Sequence, residues 1–333
     1  MTAGAPAGSR KLGILFIVVS AFFFALMNLF VKLSGELPTM QKAFFRNLVA
    51  AGVALVLLLR RPSQFKTIKG NLYPLIMRSV AGTLGIILNF SAIDNMDIAD
   101  ASILNKLSPF FSIIFSFALL REKPGRFEWL AVAVAFGGAM LVVKPSFSSD
   151  VLPAIGGVFG GMSAGLAYTF VRKAGAGGAS RNLIVFFFSV FSCIVILPFM
   201  IVGFVPMKWY QTLYLPASGA AAAGGQVFIT RAYTYAPAKE ISVFDYTIVI
   251  FTAAFGAAFL REFPDALSYA GYAVVILGAG ISWLYHMVKE RSTKAAEAVS
   301  GGADKTPARN GSASDGRVKD KDPPGGADGG GDG

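Results

Sequence analysis

Ionisable side chains inside apolar stretches are the sharpest chemical signal in this sequence. Lys106, Arg46, Arg78 and Asp245 each lie about five to seven residues inside a long apolar run. A charged group at the centre of a membrane helix costs on the order of 2.5–3.5 kcal/mol, so such groups usually face protein or water and mark a solute or ion pathway. We therefore predict a binding site for a small solute, with snorkelling of the cations to the membrane surface as the alternative.

A proline stands close to the first of these charges. Lys106 precedes Pro109 by three residues. Proline removes a backbone donor and kinks or breaks a helix. Asn105, Lys106 and the unpaired carbonyls near them are therefore predicted to fall together at a broken helix, as in the binding sites of secondary transporters.

The charges suggest what the solute carries. Ammonium and guanidinium groups bind carboxylates or phosphates, and a buried carboxylate binds an amine or holds a proton. We expect Lys106 and Arg46 to hold an anionic group and Asp245 to hold an amine or a coupling proton, with a structural pair to a neighbouring Arg as the alternative for Asp245. The predicted substrate-binding residues are Lys106, Arg46, Arg78, Asp245, Asn105, Tyr168 and Tyr246, and Pro109 is the predicted helix break.

Composition restricts the class of protein. The chain has 333 residues, of which 54% are hydrophobic and 15% charged, whereas soluble domains carry about 25% charged residues. This composition therefore excludes a soluble enzyme and a disordered regulator. No nucleic acid is expected as a partner. One cysteine and one histidine, Cys193 and His286, leave no basis for a disulfide or a metal site, and no cofactor is expected.

Ten apolar segments approach the ~20 residues that a membrane helix needs. They are residues 12–33, 41–59, 72–92, 99–120, 127–143, 152–172, 183–204, 212–235, 240–260 and 266–287. Residues 1–11 form a short N-terminal segment. Residues 288–333 are rich in Gly, Asp, Lys and Ser, so we predict a disordered tail.

Loop charges predict the orientation of the chain. With both termini on one side, that side carries 16 Lys and Arg residues and the other side carries 5. The positive-inside rule then places both termini in the cytoplasm of a multi-pass protein of the cell (inner) membrane. Asp94, Asp97 and Asp100 fall at the predicted outer loop, where we expect solvated side chains.

The sequence repeats itself after 140 residues. Residues 102–139 align without a gap on 242–279, and 12 of the 38 positions are identical, including Arg121-Glu122 on Arg261-Glu262. Each half, 12–144 and 152–287, holds five predicted helices. Because five is odd, the second half must enter the membrane upside down, giving two inverted five-helix repeats. Val249 stands opposite Pro109, so we expect the two halves to be distorted differently.

The sequence resembles the drug/metabolite transporter superfamily, in its EamA-type branch. The motifs that carry the resemblance are Phe44-Phe45-Arg46-Asn47, Ser108-Pro109-Phe110, Leu120-Arg121-Glu122, Gly137-Gly138-Ala139, Leu260-Arg261-Glu262 and Gly278-Ala279-Gly280. The resemblance spans residues 12–287. It implies a ten-helix carrier with two EamA-like repeats, cytoplasmic termini and a central cavity.

The resemblance and the polar residues together indicate a secondary transporter rather than an enzyme. The expected substrate is a small polar or zwitterionic metabolite, such as an amino acid, a vitamin or a nucleotide-like compound such as S-adenosylmethionine, moved by alternating access. An uncoupled facilitator is the alternative. A non-transporting scaffold and an intramembrane hydrolase using Ser163 and His286 are the remaining rivals. The expected partners are the solute and the lipid bilayer, with a coupling proton and a homodimer left open.

The charge pattern makes a topology prediction. Reporter fusions after Lys69, Arg126 and Arg181 should read cytoplasmic, and fusions near Asp97 and Lys208 should read external, because cationic loops stay in the cytoplasm. Paired alkaline phosphatase and fluorescent-protein fusions measure this. A cytoplasmic signal at Asp97 would overturn the ten-crossing arrangement.

Overall fold

A computed structural model describes residues 7–60, 68–121, 124–144, 151–235 and 241–303. In these ranges every regular element is helical and no strand occurs, which confirms the all-α prediction. The helices are α1 (Ala7–Leu33), α2 (Thr39–Leu59), α3 (Ile68–Asn95), α4 (Ile98–Asn105), α5 (Ser108–Leu120), α6 (Arg126–Val143), α7 (Leu152–Ala176), α8 (Arg181–Val202), α9 (Trp209–Tyr235), α10 (Thr247–Phe255) and α11 (Ala266–Ala303). A 3₁₀ helix, Ser242–Tyr246, precedes α10, and a π-helical turn, Gly256–Leu260, follows it.

Nine segments of the described chain are long and apolar enough to cross a membrane. The fourth combines α4 with α5, and the eighth combines the 3₁₀ helix, α10 and the π-helical turn. The remaining predicted segment, 212–235, is helical as part of α9, but Pro216, Gln226 and its glycines make it less apolar.

The chain ends differ from the prediction. A compact unit ends at Lys289, and the described residues from Glu290 onward do not belong to it. Residues 288–303 are helical within α11, although the composition predicted disorder from 288 onward. Good helix formers in this stretch, the Lys, Ala and Glu of residues 294–298, explain the difference. Residues 304–333 lie outside the described residues, and α1 begins at Ala7 rather than at 12.

The principal helix contacts join the first half of the chain to the second. α1 packs along α9, α3 packs along α7, and α2 packs against α8. α1 also contacts α10, and α5 contacts α7. The first helix of each half thus packs on the third and fourth helical segments of the other half.

Glycines bring α7 close to the junction between α4 and α5. A Cβ atom at Gly161 would lie 2.6 Å from the Leu104 carbonyl oxygen, and one at Gly165 would lie 2.7 Å from the Ser108 carbonyl oxygen. A larger side chain at either position would force α7 away from the backbone of this junction. Small residues are the usual means by which membrane helices pack closely, since lipid provides no hydrophobic drive between helices.

The predicted solvated loop at Asp94, Asp97 and Asp100 is largely wrong. The fully buried ammonium of Lys42 pairs with Asp94 at 2.6 Å. Asp100 lies within α4, is buried, and accepts a hydrogen bond from the Tyr272 hydroxyl at 2.6 Å. Only Asp97 lies between helices. Burial raises the pKa of its carboxyl group, and the nearby negative charges of Glu262 and Asp100 raise it further. The surrounding helices reach further than their apolar runs indicated and enclose these carboxylates.

A residue of the second half caps a helix of the first half at this end. One carboxylate oxygen of Glu262 pairs with Nζ of Lys32 at 3.0 Å, and the other accepts the Ile98 N–H at 2.9 Å. Ile98 is the first residue of α4, so the carboxylate satisfies one of the free N–H groups of this helix end. Lys32 also donates to the Met96 carbonyl at 2.8 Å. These bonds fix where α4 begins.

Two neighbouring glycines of α6 provide a matched test of helix packing. A Cβ atom at Gly138 would lie 2.8 Å from the Val275 backbone nitrogen and 2.9 Å from the Gly271 carbonyl oxygen, whereas one at Gly137 would meet nothing within 4 Å. Gly138→Ala should therefore lower the free energy of unfolding by about 1–3 kcal/mol. Gly137→Ala should leave it unchanged or raise it, because Ala favours a helix over Gly by roughly 0.5–1 kcal/mol. Thermal unfolding of both variants in one detergent checks this, and equal shifts would contradict the packing of α6 on α11.

Candidate functional site

Lys106 and Asp245 form an ion pair that joins the two halves of the chain. Nζ of Lys106 donates a charge-assisted hydrogen bond to Oδ2 of Asp245. The two side chains are only 14% and 20% exposed. The Lys106 ammonium is therefore bound inside the protein rather than snorkelled to a membrane surface. The partner of Asp245 is a lysine, not the arginine considered from the sequence.

The helix break lies where the proline predicts it. α4 ends at Asn105, Lys106 and Leu107 form a turn, and α5 begins at Ser108 with Pro109 in its first turn. Proline suits the first turn of a helix because its missing N–H would have no helical partner there. The break places Lys106 at a helix end, with its ammonium directed to the other half of the chain.

The carbonyl of Lys106 has lost its helical donor. The N–H of Phe110, which would reach it in a continuous helix, donates to the Leu107 carbonyl instead at 3.0 Å. The hydroxyl of Tyr246 donates to the Lys106 carbonyl at 3.0 Å. Lys106 is thus held twice by the second half, through its side chain and through its backbone.

The second half is irregular at the same register. The 3₁₀ helix ends at Tyr246 and α10 begins at Thr247, and a shift of 140 places these residues on Lys106 and Leu107. No proline is present here, since Val249 occupies the position of Pro109. The two halves are distorted at equivalent points but differently, by a turn in one and by a 3₁₀ segment in the other.

Two buried acceptors lie at this junction or one helical turn from it. Oδ1 of Asp245 and Oδ1 of Asn28 have no hydrogen-bond partner in the part of the chain that the structure describes. Nδ2 of Asn28 donates to the Ser102 hydroxyl at 3.0 Å, which links α1 to α4. Asn105 is half-buried at the end of α4. Unsatisfied buried acceptors are uncommon in proteins, and these could accept hydrogen bonds from an amine or hydroxyl of a solute.

Arg46 and Arg78 form a second group of charges, among α2, α3, α7 and α8. Arg46 is buried, with Nη1 donating to Oδ1 of Asn47 at 2.8 Å. The guanidinium of Arg78 lies over the Phe188 ring, 4.2 Å from its centroid. The two guanidiniums are close enough to repel each other, and the Tyr168 side chain lies near both. Tyr168 lies on α7 and is 49% exposed.

Three residues of this second group were not among the predicted site residues, namely Asn47, Phe188 and Gly82. Asn47 directly follows Arg46, and this adjacency is a signal that could have indicated an amide partner. Phe188 stands in the run Phe186-Phe187-Phe188, where nothing distinguishes the ring that lies under the arginine. Gly82 follows Arg78 by one helical turn, and a Cβ atom at this position would overlap Nη1 of Arg78, a contact that only the structure shows.

The hydrolase alternative finds no support at Ser163. This serine lies within α7, whereas a nucleophile elbow requires a strand-to-helix turn. Ser163 and Leu84, Leu88 and Phe159 are among the lining residues of an apolar groove of about 370 Å³ between α3 and α7. Among the described residues no group of His, Cys, Asp and Glu is placed to hold a metal ion.

The Lys106–Asp245 pair makes a stability prediction. Lys106→Met and Asp245→Asn should each destabilise the protein by leaving a buried charge unpaired, and the double variant should lose less than the sum. The coupling free energy should be about 0.5–3 kcal/mol. Thermal or denaturant unfolding of all four proteins measures it.

A second ion pair serves as the matched control. Nζ of Lys144 and Oδ1 of Asp265 lie 2.8 Å apart, with side chains 36% and 56% exposed, and the hydrogen bond from Lys144 lowers the pKa of Asp265 to about 2. Solvent screens such pairs, so Lys144→Met with Asp265→Asn should show weaker coupling. Equal coupling for both pairs would contradict the buried character of the Lys106–Asp245 pair.

Comparison with known proteins agrees with this architecture. The Pseudopaline exporter CntI of Pseudomonas aeruginosa is 36% identical over 271 residues, which cover 80% of this chain and 94% of that protein. Solute carrier family 35 member G1 of Homo sapiens is 27% identical over 300 residues, covering 84% and 81%. One crystal structure superposes with a TM-score of 0.61 at 15% identity, covering 82% of this chain and 98% of that chain, and this likeness shows the fold alone.

The family match covers both halves of the chain. Residues 11–144 and residues 152–284 each match the EamA-like transporter family, which confirms the resemblance drawn from the motifs. The relatives that carry a functional name are transporters or solute carriers. The chain therefore belongs to the EamA-like transporter family of the drug/metabolite transporter superfamily and is a membrane transporter.

Proposed function

We propose that this chain is a secondary transporter that moves a small polar or zwitterionic organic metabolite by alternating access. In this proposal ten crossings form two inverted five-helix repeats, 12–144 and 152–287. The exchange of helix partners supports the symmetry, since α1 packs on α9 as α7 packs on α3. Such an arrangement allows the halves to rock around a site between them.

The observation that carries the proposal is the junction of Lys106, Asp245 and Tyr246. These residues come from the irregular points of the two halves, which a shift of 140 residues superposes. Irregular backbone and ionisable side chains at membrane depth are tolerated where they serve a solute or ion pathway. A binding site at the interface of the repeats has both features.

The proposed substrate-binding residues keep the roles suggested by the sequence, with one change. Asp245 holds an amine or a coupling proton, and its buried Oδ1 is the atom available for this. Asn105, Tyr168 and Tyr246 line the path of the solute. Lys106 binds Asp245, so its charge reaches a solute only when this pair opens. Arg46 and Arg78 remain candidates for contact with the substrate.

Direction and orientation belong to the same proposal. Both termini face the cytoplasm of the cell membrane, supported by the excess of cationic residues on that side. The relative named as an exporter, 36% identical over most of both chains, supports outward transport. The protein acts as a carrier without enzymatic activity. An uncoupled facilitator would move the same solutes, but a proton gradient would not change its rate of transport.

Flux through purified protein tests the proposal. Proteoliposomes are loaded with a defined mixture of amino acids, nucleotides, S-adenosylmethionine and vitamins, and the solutes that leave are identified by mass spectrometry. At least one solute should leave faster than from protein-free vesicles. Asp245→Asn should slow this flux by about tenfold or more, because a charge-assisted contact is lost.

The matched control for flux is Asp265→Asn. Asp265 also pairs with a lysine but is exposed and lies outside the junction, so this variant should transport like the parent protein. A pH gradient across the vesicle should accelerate flux if a proton is coupled and leave a facilitator unchanged. Absence of protein-dependent flux for every loaded solute, in vesicles whose protein keeps its parent melting temperature, would count against a carrier for these classes.

A further inference from the structure

Arg46 and Arg78 are cations without a counter-ion in the described part of the chain. Lysines form the ion pairs Lys32–Glu262, Lys42–Asp94, Lys106–Asp245 and Lys144–Asp265, whereas neither Arg46 nor Arg78 pairs with a carboxylate among the described residues. Both arginines lie inside candidate membrane spans, on α2 and α3. Two guanidiniums that repel each other at this depth leave a net positive charge in a region of low dielectric.

Several N–H donors of this group have no acceptor. They are Nε of Arg46, Nε and Nη1 of Arg78, and Nδ2 of Asn47. Arg46 is only 8% exposed and Asn47 is fully buried. A guanidinium has donors only and stays protonated in proteins. The missing partner must therefore bring acceptors and negative charge.

The geometry leaves the donor edge of Arg78 available. The Phe188 ring contacts the face of the guanidinium, with the central carbon 4.2 Å from the ring centroid. A ring under the face stabilises the cation but takes none of its N–H groups. The planar fork of donors matches the paired oxygens of a carboxylate or phosphate.

Gly82 permits this position of Arg78. It lies one helical turn after Arg78 on α3, and a Cβ atom there would overlap Nη1 of Arg78 and lie 2.9 Å from the Phe188 ring. The guanidinium end is flexible, so a methyl group at 82 would displace it while leaving the charge in the protein. A substitution at position 82 therefore tests the position of the Arg78 guanidinium without removing its charge.

Resting on the proposed transport function, we infer that Arg46 and Arg78, with Asn47, form a subsite for an oxyanion of the transported solute, a carboxylate or a phosphate. The solute class is thereby narrowed to anionic and zwitterionic metabolites. Lys106 is not the anion-binding cation in this conformation, because Asp245 already neutralises it. The solute supplies the counter-charge that the arginines lack.

Soluble anions provide the direct test. The purified protein in phosphatidylcholine nanodiscs is titrated at constant ionic strength with glutarate, inorganic phosphate or uncharged glutaramide, and the melting temperature is recorded. Glutarate or phosphate should raise the melting temperature of the parent protein by mass action, and glutaramide should not. Arg46→Gln and Arg78→Gln should weaken the apparent affinity by about tenfold or more.

The ligand-free melting temperatures separate binding from structure. If the arginines serve a ligand, Arg46→Gln and Arg78→Gln should melt at or above the parent temperature without anion, because each removes an unpaired charge and a repulsion. Gly82→Ala should also weaken the anion response while keeping both charges, and it carries the test if either Gln variant fails to fold. Arg126→Gln, at an exposed position, should respond like the parent.

Other results would overturn the subsite. These are no anion response in the parent, an equal response in the Gln variants and in Gly82→Ala, or stabilisation only when phosphatidylglycerol replaces phosphatidylcholine, which would assign the arginines to a lipid headgroup. The proteoliposome assay keeps the two proposals apart. Parent-like flux and substrate affinity in both Gln variants would remove the subsite and leave the transport function standing.

Discussion

A charge buried among membrane helices needs a partner, and in this protein the partner comes from the other half of the chain. Lys106 and Asp245 neutralise each other across the junction of the halves. Separating the halves would leave each charge alone in a region of low dielectric, where breaking a buried pair typically costs about 3–5 kcal/mol. The ion pair therefore favours the arrangement in which the two helical irregularities meet. A solute or proton that satisfies Asp245 in place of Lys106 would remove this preference.

Backbone geometry makes the pair available. In a continuous helix the Lys106 carbonyl would accept a bond from its own helix, but the turn before Pro109 leaves it to the Tyr246 hydroxyl. The side chain and the carbonyl of one residue thus bind adjacent residues of the 3₁₀ segment. Close approach of α7 at Gly161 and Gly165 holds the same turn from another side. The break is therefore a packed contact among three helical segments rather than a loose kink.

The sequence was sufficient for the helical segments between residues 12 and 287 and for the position of the break, because these depend on local features. Apolar runs of the right length and a proline specify them without knowledge of the neighbours. The internal repeat also aligned Asp245 with Asn105, which directly precedes Lys106, the actual partner of Asp245. The pairing with Lys106, the burial of Asp94 and Asp100, and the ring beneath Arg78 depend on contacts between distant segments. Hydrophobic periodicity contains no information about such contacts, and for this reason the predicted solvated loop was wrong and the lysine partner of Asp245 was not identified.

The two groups of charges differ in what they require from a ligand. The Lys106–Asp245 pair is neutral as it stands, so a ligand there must compete with an existing bond and gains only the difference. The Arg46–Arg78 group is cationic and has unused donors, so an oxyanion gains direct bonds and also relieves the repulsion between the guanidiniums. In the proposed transporter, a zwitterionic solute would bind first where no bond must be broken and then exchange its amine for Lys106 at Asp245. Binding at the arginines would provide affinity, and opening of the ion pair would couple that affinity to movement of the two halves, because the second step breaks a bond that joins them.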